Sequence, residues 1–315
     1  MNIVQAPRAS AILFHLLKSR KDVRPWLLPA NICPIVPITF LKAEIPFELV
    51  DISAATLHMD LDQAEALVRT RRFGGLLYAH TYGEASTPVD FFRQVKQLDD
   101  SILLVDDRCL CLPGLQPDEN NPADVQLFST GYAKIVDLGQ GGYAFLRDGI
   151  SYHPFHVPFT SRDHERIEQE YKKALHDRTV FEYKDCDWLE TDAELKPWLE
   201  YRQQIDEELG RSLKRRLSLN AMYMRLLPPE IQLPDGYQIW RFNIRVENKP
   251  QILKAIFDAS LFASSHYASL AGVMAAGSAP QAEQLAGKVI NLFNDRHFDE
   301  QKVEMVCEVV KSLLP

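Results

Sequence analysis

Phe128-Ser129-Thr130-Gly131-Tyr132-Ala133-Lys134, with Gly139-Gln140-Gly141-Gly142 close behind, is the stretch on which the reading of this chain turns. Residues 125–129 are a strand-like run, and a lysine follows just past its end, at the edge of a glycine-rich turn. An α/β protein presents ligands at the carboxyl ends of its strands. A lysine held there among apolar neighbours loses its proton more easily and becomes a nucleophilic amine. The plainer alternative is a snorkelling surface lysine and a hairpin turn leading into a strand at 143–146. The rest of the chain decides how much weight each carries.

Working outward, the first 150 residues alternate helix-like and strand-like segments. Residues 9–19 are amphipathic, with Ile12, Leu13, Leu16 and Leu17 on one face. Strands are expected at 26–28, 47–52, 75–80 and 101–105, with helices at 35–43, 61–70 and 90–98 between them. This rhythm implies right-handed crossovers and a mainly parallel sheet. His80, Asp106, Asp107 and Lys134 all fall just beyond expected strands, so a doubly wound sheet would gather them at one crevice. Residues 152–160 read as an irregular connector, followed by a charged helix at 162–175 and a long helical region at 193–227. Pro228, Pro229 and Pro234 mark a boundary. Beyond it a strand at 238–246 and helices at 250–259, 279–290 and 299–314 describe a smaller α+β unit. The expected organisation is a large domain over 1–160, a helical bridging region over 161–235 and a small domain over 236–315.

At 315 residues the chain is long enough to bury a large core, and 46% hydrophobic with 25% charged residues is an ordinary soluble composition. A net charge of -8 argues against general binding to nucleic acid or to anionic membrane. No apolar run reaches membrane-spanning length, and residues 1–7 lack the pattern of a signal segment. The five cysteines, Cys33, Cys109, Cys111, Cys186 and Cys307, are odd in number and scattered, which reads as a reducing cytoplasm. Cys109-Leu110-Cys111 has no second pair to complete a zinc site, and His153 and His156 have no partner at ligand spacing, so no metal is expected.

An imine-forming lysine points to pyridoxal 5'-phosphate as cofactor. The ordered set of motifs resembles the DegT/DnrJ/StrS sugar aminotransferases, of the aspartate-aminotransferase-like fold. A proline-containing strand end (Leu28-Pro29-Ala30-Asn31) and helix lead to an apolar strand finishing in Asp51. Then come His80-Thr81-Tyr82-Gly83, the acidic pair Asp106-Asp107, Phe128-Ser129 with Lys134 five residues after the serine, and the Gly139, Gly141, Gly142 turn. Leu292-Phe293-Asn294-Asp295-Arg296-His297-Phe298-Asp299 is similar to the family's closing loop. The resemblance spans most of the chain outside about residues 150–235.

It implies a seven-stranded-type sheet flanked by helices, a smaller C-terminal α+β domain and a homodimer. Lys134 would be the Schiff-base lysine and proton shuttle, and Asp107 the partner of the pyridine nitrogen, with Asp106 as the alternative one position away. Ser129 would bind the phosphate together with Ala9 and Ser10, at a helix start that carries partial positive charge or is simply a helix start. His80 would lie near the cofactor or be a buried histidine satisfied by backbone. Cys33 stands where the family stacks an aromatic ring on the cofactor, and Leu110 stands where it has a polar residue. The glycine-tyrosine-asparagine-arginine segment that normally follows the glycine turn is absent from 143–152. The implied activity is amino transfer, with glutamate as the expected donor, to a keto-sugar or nucleotide-sugar. Dehydration of a related sugar, or a non-catalytic binding role on the same fold, are the alternatives. The apolar stripe of residues 213–227 would serve a subunit interface or the core.

Overall fold

A computed structural model describes residues 1–314. Its central feature is a seven-stranded sheet in the order β1-β7-β6-β5-β4-β2-β3. The strands are β1 (Asn2–Ala6), β2 (Trp26–Pro29), β3 (Phe47–Val50), β4 (Gly75–Ala79), β5 (Leu103–Asp107), β6 (Val125–Ser129) and β7 (Gly142–Leu146). The pairs β2·β3, β2·β4, β4·β5 and β5·β6 are parallel, while β7 is antiparallel to both β6 and β1. The mainly parallel sheet expected from the strand rhythm is therefore present, closed at one edge by an antiparallel pair. The edge strand β1 was not anticipated.

The helices between the strands cover both faces, as parallel strands require. On one face α1 (Ala9–Lys18) and α2 (Ile35–Ala43) bury Ile12, Leu13, Leu16, Ile38 and Phe40 against Leu28, Leu77, Leu103 and Val105. On the other, α3 (Leu61–Val68) and α4 (Val89–Leu98) pack Ala64, Val68, Phe92 and Val95 against Leu76, Tyr78 and Leu104. Alternate residues of β4 and β5 thus serve opposite faces, the period-two rule that later separates two adjacent aspartates. Pro37 sits in the first turn of α2, where its missing N–H costs nothing. Asp60 caps α3 by accepting from the Gln63 amide at 3.0 Å.

After β7 the chain runs irregularly to α5 (Ser161–Asp177), capped by Thr160, which accepts from the Asp163 amide at 3.1 Å. Ile167 and Ala174 of α5, with Phe181, Trp188 and Leu189 beyond it, belong to the same buried cluster as α1 and α2. The charged stretch is therefore a helix with one narrow apolar stripe, folded back onto the sheet layer. The long α6 (Trp198–Leu226) begins after Pro197 rather than at 193. It buries Leu219 and Tyr223 in the core of the C-terminal unit, while Leu217 and Met224 face outward.

That unit is a three-stranded antiparallel sheet, β8-β10-β9, with β8 (Phe242–Arg245), β9 (Ala263–Ser264) and β10 (Val289–Leu292). It packs against α7 (Lys249–Asp258) and α9 (Glu300–Ser312). The expected strand at 238–246 shortens because Gln238 leaves the ladder, its side-chain amide binding the Leu233 carbonyl at 2.6 Å. The expected helix at 279–290 is α8 (Pro280–Lys288), and its last apolar residues instead open β10. No helix of the described residues is long and apolar enough to cross a membrane.

Candidate active site

In β5, Asp106 lies opposite Tyr78 and Gln126, and Asp107 opposite Ala79 and Leu127. Adjacent strand residues point to opposite faces, so the two carboxylates part company. Asp106 is wholly buried on the α3/α4 side. Its Oδ1 lies 2.7 Å from His80 Nε2, and its Oδ2 accepts from Asn121 Nδ2 at 2.7 Å and from Arg108 Nη1 at 3.3 Å. Burial opposes the charge, but the His80, Arg108 and Asn121 contacts override it and hold the carboxyl below its usual range. The other His80 nitrogen lies 2.7 Å from the Glu84 carbonyl. The structure thus turns Asp106 away from the cleft. His80 borders a small recess that Asp107, Cys33 and Lys134 also line, with both of its ring nitrogens already engaged.

Asp107 faces the α1/α2 side, where its Oδ1 accepts from the Cys109 amide at 3.0 Å. Lys134 reaches the same place from β6 through a tightly held turn. Thr130 donates its amide to the Gly141 carbonyl at 3.0 Å and its hydroxyl to the Gln140 carbonyl at 2.7 Å. Ala133 sits in the left-handed region, at φ 61°, and its carbonyl accepts from Trp240 Nε1 at 2.8 Å. The Lys134 carbonyl accepts from Arg216 Nη2 at 3.1 Å. Two residues of the C-terminal half therefore grip the peptide on each side of the lysine's Cα. Gly141, at φ 99°, must be glycine: a methyl there would strike the Tyr201 hydroxyl and Thr130 Oγ1.

Lys134 and Asp107 share a cleft of about 180 Å³ whose walls include Cys33, Ser129, Ser10 and His164. Its far end is the start of α1. No side chain caps that helix; the Ala9 amide turns toward the Gly141 carbonyl through the Arg8–Gly141 bridge, and the Ser10 amide has no acceptor among the described residues. The Ser10 amide, the Ser10 and Ser129 hydroxyls and the positive helix end form a cradle for an anion. Arg8 is engaged by Glu190 at 3.0 Å. Cys33 and Cys109 line the wall as neutral thiols, because burial pushes both upward. The sequence reading missed His164, which comes from α5, a segment whose charge pattern signalled only a solvated helix. Its Nδ1 lies 3.1 Å from the Trp188 carbonyl, and Nε2 has no hydrogen-bond partner among the described residues.

No family model matches the chain, and no curated protein matches it. Solved structures do. The sugar aminotransferase CalS13 from Micromonospora echinospora superposes with a TM-score of 0.69 at 18% identity, over 99% of this chain and 87% of that one. Spr1654 from Streptococcus pneumoniae in its PLP form gives 0.72 at 17%, over 99% and 88%. DesI, solved in the presence of its TDP-sugar product, gives 0.74 at 16%, over 99% and 80%. This chain has the fold of the sugar aminotransferases. At such identities the likeness is one of architecture, and what the fold does here has to be argued from its side chains.

Proposed function

We propose that this chain is a pyridoxal-phosphate-dependent aminotransferase acting on a keto-sugar or sugar nucleotide, with an amino acid such as glutamate as donor. The observation that carries the reading is the placement of the Lys134 amine, the Asp107 carboxylate and an uncapped helix start with the Ser10 and Ser129 hydroxyls around one cleft. This donor set fits the cofactor: the amine suits its aldehyde, the carboxylate its ring nitrogen, and the helix start and hydroxyls its phosphate. Pyridoxal phosphate, when bound, supplies a carbonyl for amines to condense with and a ring that draws electrons from the reacting carbon.

The chain's own residues divide the remaining work. Ser10 and Ser129, with the helix start at Ala9, would hold the phosphate. Asp107, its rotamer fixed by the Cys109 amide, holds a proton on the ring nitrogen. Lys134 Nζ would anchor the cofactor and, as a free amine, would carry a proton from the substrate carbon to the cofactor's former aldehyde carbon. The Trp240 and Arg216 bonds to the flanking carbonyls keep Nζ within a narrow volume during that transfer. Cys33, in the wall where an aromatic ring would stack, offers a smaller contact face.

All five cysteines are free, consistent with a reducing cytoplasmic setting, and the outward Leu217 and Met224 of α6 offer apolar area to a second subunit. The test is absorbance followed by borohydride reduction and peptide mapping. The purified protein takes up the cofactor with a visible band, the reduced adduct maps to Lys134, and Lys134→Ala abolishes both. A colourless protein that does not take up added cofactor would refute the assignment.

A further inference from the structure

On the other side of Lys134 lies a second recess of about 300 Å³, bounded by Ser212, Arg215 and Arg216 of α6 and by Arg296 and His297 ahead of α9. Its carboxylates are already engaged. Glu208 pairs with Arg211 at 2.9 Å, Asp137 with Arg296 at 3.5 Å, and Asp295 with Arg241. Arg215 and Arg216 have no carboxylate partner among the described residues. Arg215 is exposed, and its guanidinium reaches only the Phe298 carbonyl, at 3.4 Å.

Arg216 is 1% exposed. Its Nε donates to Ser212 Oγ at 3.1 Å, Nη1 to the Trp240 carbonyl at 2.6 Å and to Asn294 Oδ1, and Nη2 to the Lys134 carbonyl at 3.1 Å. A guanidinium has five N–H donors, so one hydrogen on Nη2 has no partner among the described residues, and Arg216 lines the recess. Burial pushes Arg216 down to about 10, which leaves it charged at neutral pH. A buried cation whose direct partners are all neutral, with Asp295 and Asp137 only at longer range, is costly to hold.

We propose that this recess is an oxyanion subsite in which Arg215 and Arg216 hold an anionic group of the substrate beside Lys134. The proposal rests on the aminotransferase reading and names the chemistry that reading leaves open. The guanidinium fork of Arg215 and the one spare N–H of Arg216 suit carboxylate and phosphate oxygens alike. The diphosphate of a sugar nucleotide and a carboxylate of the amino donor both present that chemistry. Because Arg216 is bonded to the lysine's own carbonyl, the anion and the reacting amine are referenced to one rigid turn. Substrates lacking the anionic handle lose that reference.

The experiment is calorimetric titration of the whole chain with inorganic pyrophosphate and, separately, with glutarate, in wild type, Arg215→Gln and Arg216→Lys. At least one anion binds wild type, and each variant weakens it about tenfold, the scale of one charge-assisted contact. Loss confined to pyrophosphate assigns the diphosphate, and loss confined to glutarate assigns the donor carboxylate. Should Arg216→Lys fail to fold, Arg215→Gln, altered at an exposed position, carries the comparison alone. No binding of either anion, or binding unchanged in the variants because the anion sits at the start of α1, overturns the proposal. Borohydride trapping on the same preparations separates the two readings. Trapping intact with anion binding unaffected by the substitutions removes only the subsite, whereas trapping lost with anion binding intact removes only the aminotransferase.

Discussion

The pleat of β5 makes a contrast between neighbours that can be measured. Asp106→Asn and Asp107→Asn change the same atoms one residue apart, yet they should fail in different ways. The substitution at Asp106 would keep the shape but lose the buried charge that pairs with Arg108 and His80. Removing one member of a buried, hydrogen-bonded ion pair costs about 3–5 kcal/mol. With a urea m value of about 3 kcal/mol/M, the unfolding midpoint falls by about 1 M or slightly more. After Asp107→Asn the side-chain oxygen can still accept the Cys109 amide, so stability should stay within about 0.5 kcal/mol of wild type. What that variant loses is the charge that keeps a ring nitrogen protonated, and amino transfer should fall on the order of 10²-fold or more. Urea melts and a single-turnover amine-transfer assay at saturating cofactor read the two quantities independently. If Asp106→Asn slowed transfer more than Asp107→Asn, with equal midpoints, the assignment of faces would be refuted.

The Asp106 network also predicts a pH signature. A carboxyl held below its unfolded value stabilises the fold above about pH 4, and that contribution is lost as the pH falls through the native value. The gap between wild type and Asp106→Asn in urea melts should therefore be full at pH 7 and close only in acid. His58 and His15 act over a different window. Burial pushes both down to about 4, so between pH 6.5 and 4 the unfolded chain binds protons that the native one refuses. Stability should drop there by about 1.4 kcal/mol per pH unit for each, and His58→Gln should flatten the slope in a pH series of melts. Gly141→Ala should lower the thermal midpoint and weaken cofactor uptake together, because the methyl displaces Tyr201 and Thr130 and carries an unfavourable φ. An unchanged midpoint would show that the turn is not tight.

The alternation of the first 150 residues was legible because buried parallel strands and their crossover helices have distinct periods, and the spacing from Ser129 to Lys134 survives as a turn at the sheet's carboxyl edge. The choice between Asp106 and Asp107 was not legible. It depends on register, and a one-residue slip reverses every side chain. Residues 2–6 gave no strand signal, since β1 is a short edge whose pairing partner lies more than a hundred residues away. Val289 and Ile290 read as the end of a helix because apolar residues satisfy either period over so short a run. His164 and Arg216 were hidden for another reason. Each sits in a strongly charged helix, and nothing local distinguishes a polar residue that tertiary packing turns inward.

The grip of Trp240 and Arg216 on the peptide carbonyls of Ala133 and Lys134 has a consequence for the order in which the chain is made. During synthesis every strand of the large sheet leaves the ribosome before either of those residues exists. A nascent chain halted after β7 can pair its sheet, yet its reactive amine hangs on an untethered bend. Competence arrives only when the last third has docked, so an unfinished copy has no fixed nucleophile with which to react.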